Sequence, residues 1–211
     1  MPQRERPCPG NTKTRNRILD VTTELIAQKG FSAVSMRDIA KKVGIQMSSI
    51  YYYYESKGAL LEDILERFKN GYKEYFDWLT KANMKADSLE TLLDNMFHKE
   101  FTDMRNPAAC LGMSLILKEQ HNNKTARKCA FELLFQHSIW RIQADFDKLI
   151  RKGVIPPSDT KMIATILMCC VVICNDMRVH EYAGAKPPLD CKEVYAGVKK
   201  FIQSALMQGM Q

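Results

Sequence analysis

Between Gln46 and Tyr54 the chain reads QMSSIYYYY, two hydroxyls and four phenols in nine residues with no charge among them. Such side chains offer directional hydrogen bonds and flat apolar contact, which are the means of reading a base edge. Cations flank them at Arg37, Lys41, Lys42 and Lys57. Other groups that could do chemistry lack partners. His98-Lys99-Glu100 has no second histidine at the spacing of a zinc-hydrolase helix, and no Ser–His–acid set or glycine-rich phosphate loop stands out. Cys170 and Cys174 lie one helical turn apart beside Cys169, without further ligands or cations. These thiols, with Cys110 and Cys129, read as small buried hydrophobes. The expectation is a binding protein rather than an enzyme, with no metal and no cofactor.

Positioning the tyrosine-rich stretch requires helices. Ser35 and Asp38 form a capping-box pattern, and Met36, Ile39, Ala40 and Val43 make one apolar stripe. Gly44 ends that helix because a left-handed residue is cheap only without a Cβ. Ile45 serves as a buried pivot into a second helix over 46–54, whose Ile50 and Tyr54 face the core. Ser48, Ser49, Tyr51 and Tyr52 then point outward with Met47. A short helix presented by a tight turn fits the major groove of B-DNA.

Asn11 or Thr12 caps a preceding helix that runs to about Lys29 and stops at Gly30. Ser56 caps a long helix to about Asn83, carrying Leu60, Leu61, Ile64, Leu65, Phe68, Tyr72, Phe76 and Leu79. Further helices are predicted at about 88–104, 108–119, 124–152, 159–180 and 191–208, with Pro, Gly and Asn at the breaks. Residues 1–11, with Pro2, Pro7, Pro9 and Gly10, read as a disordered basic arm. No β alternation and no internal repeat is visible, so the predicted class is all-α.

The 211 residues carry a net charge of +7. Residues 1–57 hold ten Lys or Arg against five Asp or Glu, leaving +2 for the remaining 154. This basic footprint on the tyrosine-rich end favours an anionic partner there. Seven cysteines form no secreted framework, the N-terminus has no apolar leader pattern, and the run Met162–Cys174 is shorter than the roughly 20 residues that span a bilayer. A cytoplasmic protein, away from the membrane, is expected.

The segment Thr14–Leu61, densest in FSAVSMRDIAKKVGIQMSSIYYYYESKGALL (31–61), resembles the DNA-binding end of the tetracycline-repressor (TetR) family of bacterial regulators. The matching motifs are the phenylalanine after a helix-ending glycine, the RDIA-like helix, and the tyrosine-rich helix leading into SK–LL. Gln46 and Met47 depart from the small hydroxyl residue and lysine often found there. The resemblance implies a three-helix DNA-binding domain with a helix–turn–helix in residues 1–57 and a larger helical effector-binding and dimerisation domain in 58–211. It places Arg37, Met47, Ser48, Ser49, Tyr52 and Tyr53 in or beside the groove, with Tyr51 and Lys57 on phosphates. Lys57 also sits at a helix start, where an anion is favoured.

The resemblance implies an effector pocket in the second domain. Phe97, Met104, Cys110, Met113, Phe135, His137, Trp140, Met168 and Met177 are its candidates, soft and aromatic groups suited to an apolar or aromatic ligand. His137 and Trp140, three residues apart, form the leading pair. The run IATILMCCVVIC is apolar on all sides, so its helix must be covered twice, which a partner subunit can supply. The expected protein is a homodimer through residues 159–180 and 191–208, a repressor released from a near-palindromic operator by a small molecule. The alternative is a DNA-binding protein of the same fold without a small ligand, acting architecturally or through a protein partner.

Overall fold

A computed structural model of the protein describes residues 12–97, 107–182 and 184–207, excluding the side chains of 107–110, 182 and 207. The predicted basic arm, His98-Lys99-Glu100, and the effector candidate Met104 lie outside the described residues, as does the side chain of the candidate Cys110. Every described regular element is helical: α1 (Thr12–Lys29), α2 (Met36–Val43), α3 (Met47–Tyr53), α4 (Lys57–Met84), α5 (Leu89–Met96), α6 (Pro107–Glu119), α7 (Lys124–Cys129), a π-helical segment (Ala130–His137), α8 (Ser138–Arg151), α9 (Thr160–Tyr182) and α10 (Cys191–Met207).

Local chemistry sets the N-terminal boundaries. The Ser35 hydroxyl accepts the Asp38 N–H at 3.2 Å while the Asp38 carboxylate accepts the Ser35 N–H at 2.9 Å, closing the capping box reciprocally. These bonds hold the Asp38 carboxyl below its ordinary range. Gly44 takes φ 80° and returns its N–H to the Ala40 carbonyl at 2.9 Å, which turns the chain into α3. Ser56 caps α4 by accepting the Ala59 N–H at 3.1 Å.

A continuous buried cluster runs from Ile18, Ile39 and Ile50 through Leu60 and Leu65 of α4 to Phe146 of α8 and Ile202 of α10. The long α4 therefore carries one core from the helix–turn–helix into the rest of the molecule. At Gly112, α6 comes so close to α4 that an added Cβ would meet Phe68 Cδ2 at 2.8 Å.

Two expectations need correction. The helix predicted over 124–152 is not one regular α-helix, because eight residues within it adopt the wider π turn. The Ser138 hydroxyl donates to the Leu133 carbonyl at 2.6 Å, and Tyr72, 2.9 Å away, gives its own proton to Ser138. That buried bond joins α4 to the end of the π segment, a place where such bulges recur at functional sites. Likewise, the run Met162–Cys174 understated the apolar span: the helix predicted over 159–180 forms at Thr160–Tyr182, and its 22 residues Thr160–Glu181 are long and apolar enough to cross a membrane by length and composition. Here Ala164, Leu167, Met168, Val171 and Cys174 of that helix pack inward, and Met162, Ile166, Cys169 and Ile173 are exposed on another face.

Candidate nucleic-acid interface

Helix α3 is the shortest element of the N-terminal unit, yet polar bonds fix it tightly. Ile50 is fully buried beneath it, and Tyr54 follows at its C-cap, also buried. The Tyr54 hydroxyl donates to Asp63 Oδ2 of α4 at 2.5 Å. Arg15 of α1 donates to both oxygens of the same carboxylate, at 2.7 and 2.6 Å. One acid thus ties together α1, α4 and the end of α3. Burial, and then the Asp63 bond, push the Tyr54 phenol far above its ordinary value, so it remains a donor across the physiological range.

With Ile50 and Tyr54 inward, the other face is open. Tyr52 is 63% exposed and Tyr51 50%, with Ser48 and Ser49 beside them. Met47 and Tyr53 are half-buried and pack against the core, the Tyr53 ring meeting Tyr52 edge-on at 5.3 Å. Arg37, Lys41 and Lys42 on the preceding helix α2 are exposed, beside an outer α3 face that carries no charge. Rigid hydroxyls, exposed rings and adjacent cations suit a nucleic-acid groove.

Lys57 is placed differently from the expectation that it grips a phosphate. Its ammonium donates to the Phe31 carbonyl at 2.6 Å and the Val34 carbonyl at 2.7 Å, and lies 4.3 Å from the centre of the Phe31 ring. Two carbonyls and a ring face already satisfy this cation. It organises the loop between α1 and α2 rather than reaching outward.

Among the effector candidates, Met113 and Met168 are buried, Met177 packs half-buried against the core, and Phe97 meets Tyr195 in a tilted ring contact at 4.9 Å between ring centres. Phe135, His137 and Trp140 are corrections. Trp140 is 60% exposed, Phe135 and His137 also face outward, and His137 keeps only an edge contact with Phe76. The inward stripe of α8 is instead Ser138, Ile142, Asp145 and Leu149.

Two of those inward residues are polar because α4 supplies their partners. Asn83 donates to Asp145 Oδ2 at 2.6 Å, Asn95 donates to Asn83 Oδ1 at 3.1 Å, and Arg141 lies 3.2 Å from Asp145. Burial raises the Asp145 carboxyl's pKa against the pull of these donors. Sequence periodicity did not reveal this cluster, Asp63 or Arg15; an acid within an otherwise inward helical stripe is the signal that could have done so.

The cysteines divide. Cys129, Cys174 and Cys191 are buried; burial pushes the Cys129 thiol up to about 11 and the Cys174 thiol up to about 12. Such thiols are poor nucleophiles at neutral pH. Cys169 is exposed, contrary to the buried expectation. Among the described residues no group of three His, Cys, Asp or Glu is placed to hold a metal ion.

Residues 18–64 match the model of the tetR family of bacterial regulatory proteins. The chain is 26% identical over 131 residues to a probable HTH-type transcriptional regulator, YttP, of Bacillus subtilis, an alignment covering 58% of this chain and 63% of that protein. It is 36% identical over 59 residues to the HTH-type transcriptional repressor KstR2 of Rhodococcus jostii, covering 28% of this chain and 29% of that protein. The chain thus spans less than two thirds of the length of these curated relatives.

The fold likeness is longer. A transcriptional regulator from Saccharomonospora viridis, solved in complex with choline, superposes with TM-score 0.68 at 19% identity, over 93% of this chain and 98% of that one. FadR from Bacillus subtilis, solved with stearoyl-CoA, gives 0.66 at 17% identity, over 90% and 98%. The helix–turn–helix segment is thus matched in sequence by the tetR family of bacterial regulatory proteins, and the described helices are matched in fold by solved transcriptional regulators.

Proposed function

We propose that the protein is a two-fold dimeric transcriptional repressor that binds a near-palindromic operator and leaves it when a small molecule binds. The observation carrying this reading is the α3 face: Ser48, Ser49, Tyr51 and Tyr52 exposed, uncharged and fixed from behind by Ile50 and the Tyr54–Asp63–Arg15 bonds. Ser48, Ser49 and Tyr52 read base edges, with Met47 and Tyr53 at the margin. Tyr51 and Arg37 meet the backbone or groove edge. Residues 1–57 form the DNA-binding unit and 58–211 the effector and dimerisation unit, working in the cytoplasm.

The dimer forms through α9 and α10. Their exposed Met162, Ile166, Ile173 and Phe201 form apolar surface that a single chain leaves in water. A second copy would cover it by the same faces about a two-fold axis. The effector sits among the middle helices near Phe97, Met113, Met168 and Met177, an apolar or aromatic molecule by the chemistry of those groups. Relatives solved with choline and with stearoyl-CoA support a small-molecule ligand in this fold.

The test is selection of a duplex from a random-sequence pool by the full-length protein, followed by a thermal-shift screen of small molecules. Selection should return a palindrome with half-sites about 34–36 Å apart or a multiple of that. A bound effector should stabilise the fold by about 2.7 kcal/mol at a hundredfold excess over its Kd, and should release the selected duplex. Enrichment of no sequence would sink the repressor reading. An operator without any stabilising small molecule would favour the ligand-free alternative.

A further inference from the structure

Glu119 breaks a local rule. It is the last residue of α6, where the helix dipole opposes an acid, and it is buried to 9% exposure. A charge in the wrong place for its own helix is held by something outside it. Its Oε1 accepts the backbone N–H of Phe31 at 3.0 Å, across the junction with the DNA-binding unit. The preceding Lys118 donates to the Ala27 carbonyl at 3.1 Å, one of the last carbonyls of α1 that no helical bond satisfies.

Adjacent residues of opposite charge therefore grip two points, one inside α1 and one just past its end. Apolar contact alone lets helices slide by small steps, whereas these bonds have direction and single partners. Turning α1 about its axis, or moving α6 along it, breaks one or both. Phe31 is also held from the other side, since Lys57 takes its carbonyl and covers its ring. The loop that enters the helix–turn–helix is thus clamped between α4 and α6, which themselves meet at Phe68 and Gly112.

We propose that Glu119 is a positioning residue that fixes the angle of the helix–turn–helix against the second domain, through the Phe31 backbone and with Lys118 as a second hold. This rests on the dimeric DNA-binding reading. In a two-fold dimer that angle sets the separation of the two α3 helices, so Glu119 governs the half-site spacing the protein accepts while touching no DNA.

The experiment compares wild type, Glu119→Gln and Glu119→Leu as full-length proteins on the duplex selected by wild type and on versions with the half-sites moved by single base pairs. The glutamine keeps an oxygen that accepts the Phe31 N–H. Wild type and Glu119→Gln should prefer the selected spacing by about tenfold, and Glu119→Leu should bind all spacings within about threefold. Hydrogen exchange at the Phe31 amide should be slow in the first two and fast in the third. Retained spacing preference with slow exchange in Glu119→Leu overturns the proposal. If Glu119→Leu does not fold, Lys118→Met removes the Ala27 bond from an exposed position and should relax the spacing preference partway; an unchanged preference there also overturns it. A wild type that selects no duplex defeats the preceding reading instead, and amide exchange still decides whether Glu119 holds the loop.

Discussion

The two ends of this molecule are held by different forces. Around α3, a few directional bonds do most of the fixing: a closed capping box at Ser35, a left-handed glycine at 44, and one carboxylate, Asp63, shared by a tyrosine and an arginine. Around α9, apolar area dominates, and part of it stays uncovered at Met162, Ile166 and Ile173. Bonds with direction suit a surface that must present hydroxyls at fixed positions to a rigid duplex. Area without direction suits an association that must only be strong. The contrast sets a short helix held by directional bonds against a far longer helix that leaves apolar side chains exposed in the single chain.

This contrast can be broken at its larger end first. Ile166→Glu and Phe201→Asp place charges on the uncovered faces, and each should convert the proposed dimer to monomer or to insoluble chain, as read by sedimentation velocity. A well-folded dimer in both would falsify the assignment of that surface. At the other end, Asp63→Ala leaves the Tyr54 hydroxyl and the Arg15 guanidinium without their shared acceptor. The expected loss is about 2–3 kcal/mol, which for a chain of this size lowers Tm by roughly 4–12 °C. A shift below a degree would mean that apolar packing, not the shared carboxylate, fixes α3.

Tyr52→Ala sharpens the comparison without touching the fold. It should weaken the selected operator by about 1–3 kcal/mol per lost base contact and leave scrambled duplex nearly unchanged. Equal weakening of both duplexes across a salt titration would make Tyr52 a backbone contact. The smallest effect should come from Ser35→Ala, which removes one side of the capping box and costs about 1 kcal/mol in urea unfolding. A loss well beyond that would show that the N-terminal unit leans on single bonds more heavily than the structure suggests.

What could be read from the sequence follows the same division. Helix ends written in adjacent residues were legible: Ser35 with Asp38, Gly44, and Ser56 before α4 each formed the cap that its residue type implies. Lys57 was not, because its destination is the carbonyls of Phe31 and Val34, brought near only by tertiary folding. Trp140 and His137 do share a face, as their spacing implies, but the face is outward. The inward face includes Ser138 and Asp145, polar residues made tolerable by Tyr72 and Asn83 of a distant helix. A hydrophobic pattern alone cannot identify an inward face whose polar groups have partners elsewhere in the chain. The shift to a π turn over 130–137 was equally hidden, since nothing in AFELLFQH breaks a regular helix.

The grip on the loop after α1 has a consequence for how this protein can change over generations. Glu119, Lys118 and Lys57 all address main-chain atoms of that loop and its flanks, the Phe31 N–H and the carbonyls of Ala27, Phe31 and Val34. Every residue type supplies a carbonyl, and every type except proline supplies the N–H. Positions 27, 31 and 34 are therefore free to drift as far as side-chain packing allows, proline at 31 excepted, without loss of these hydrogen bonds. The burden of inheritance falls on the three charged residues that hold those main-chain atoms.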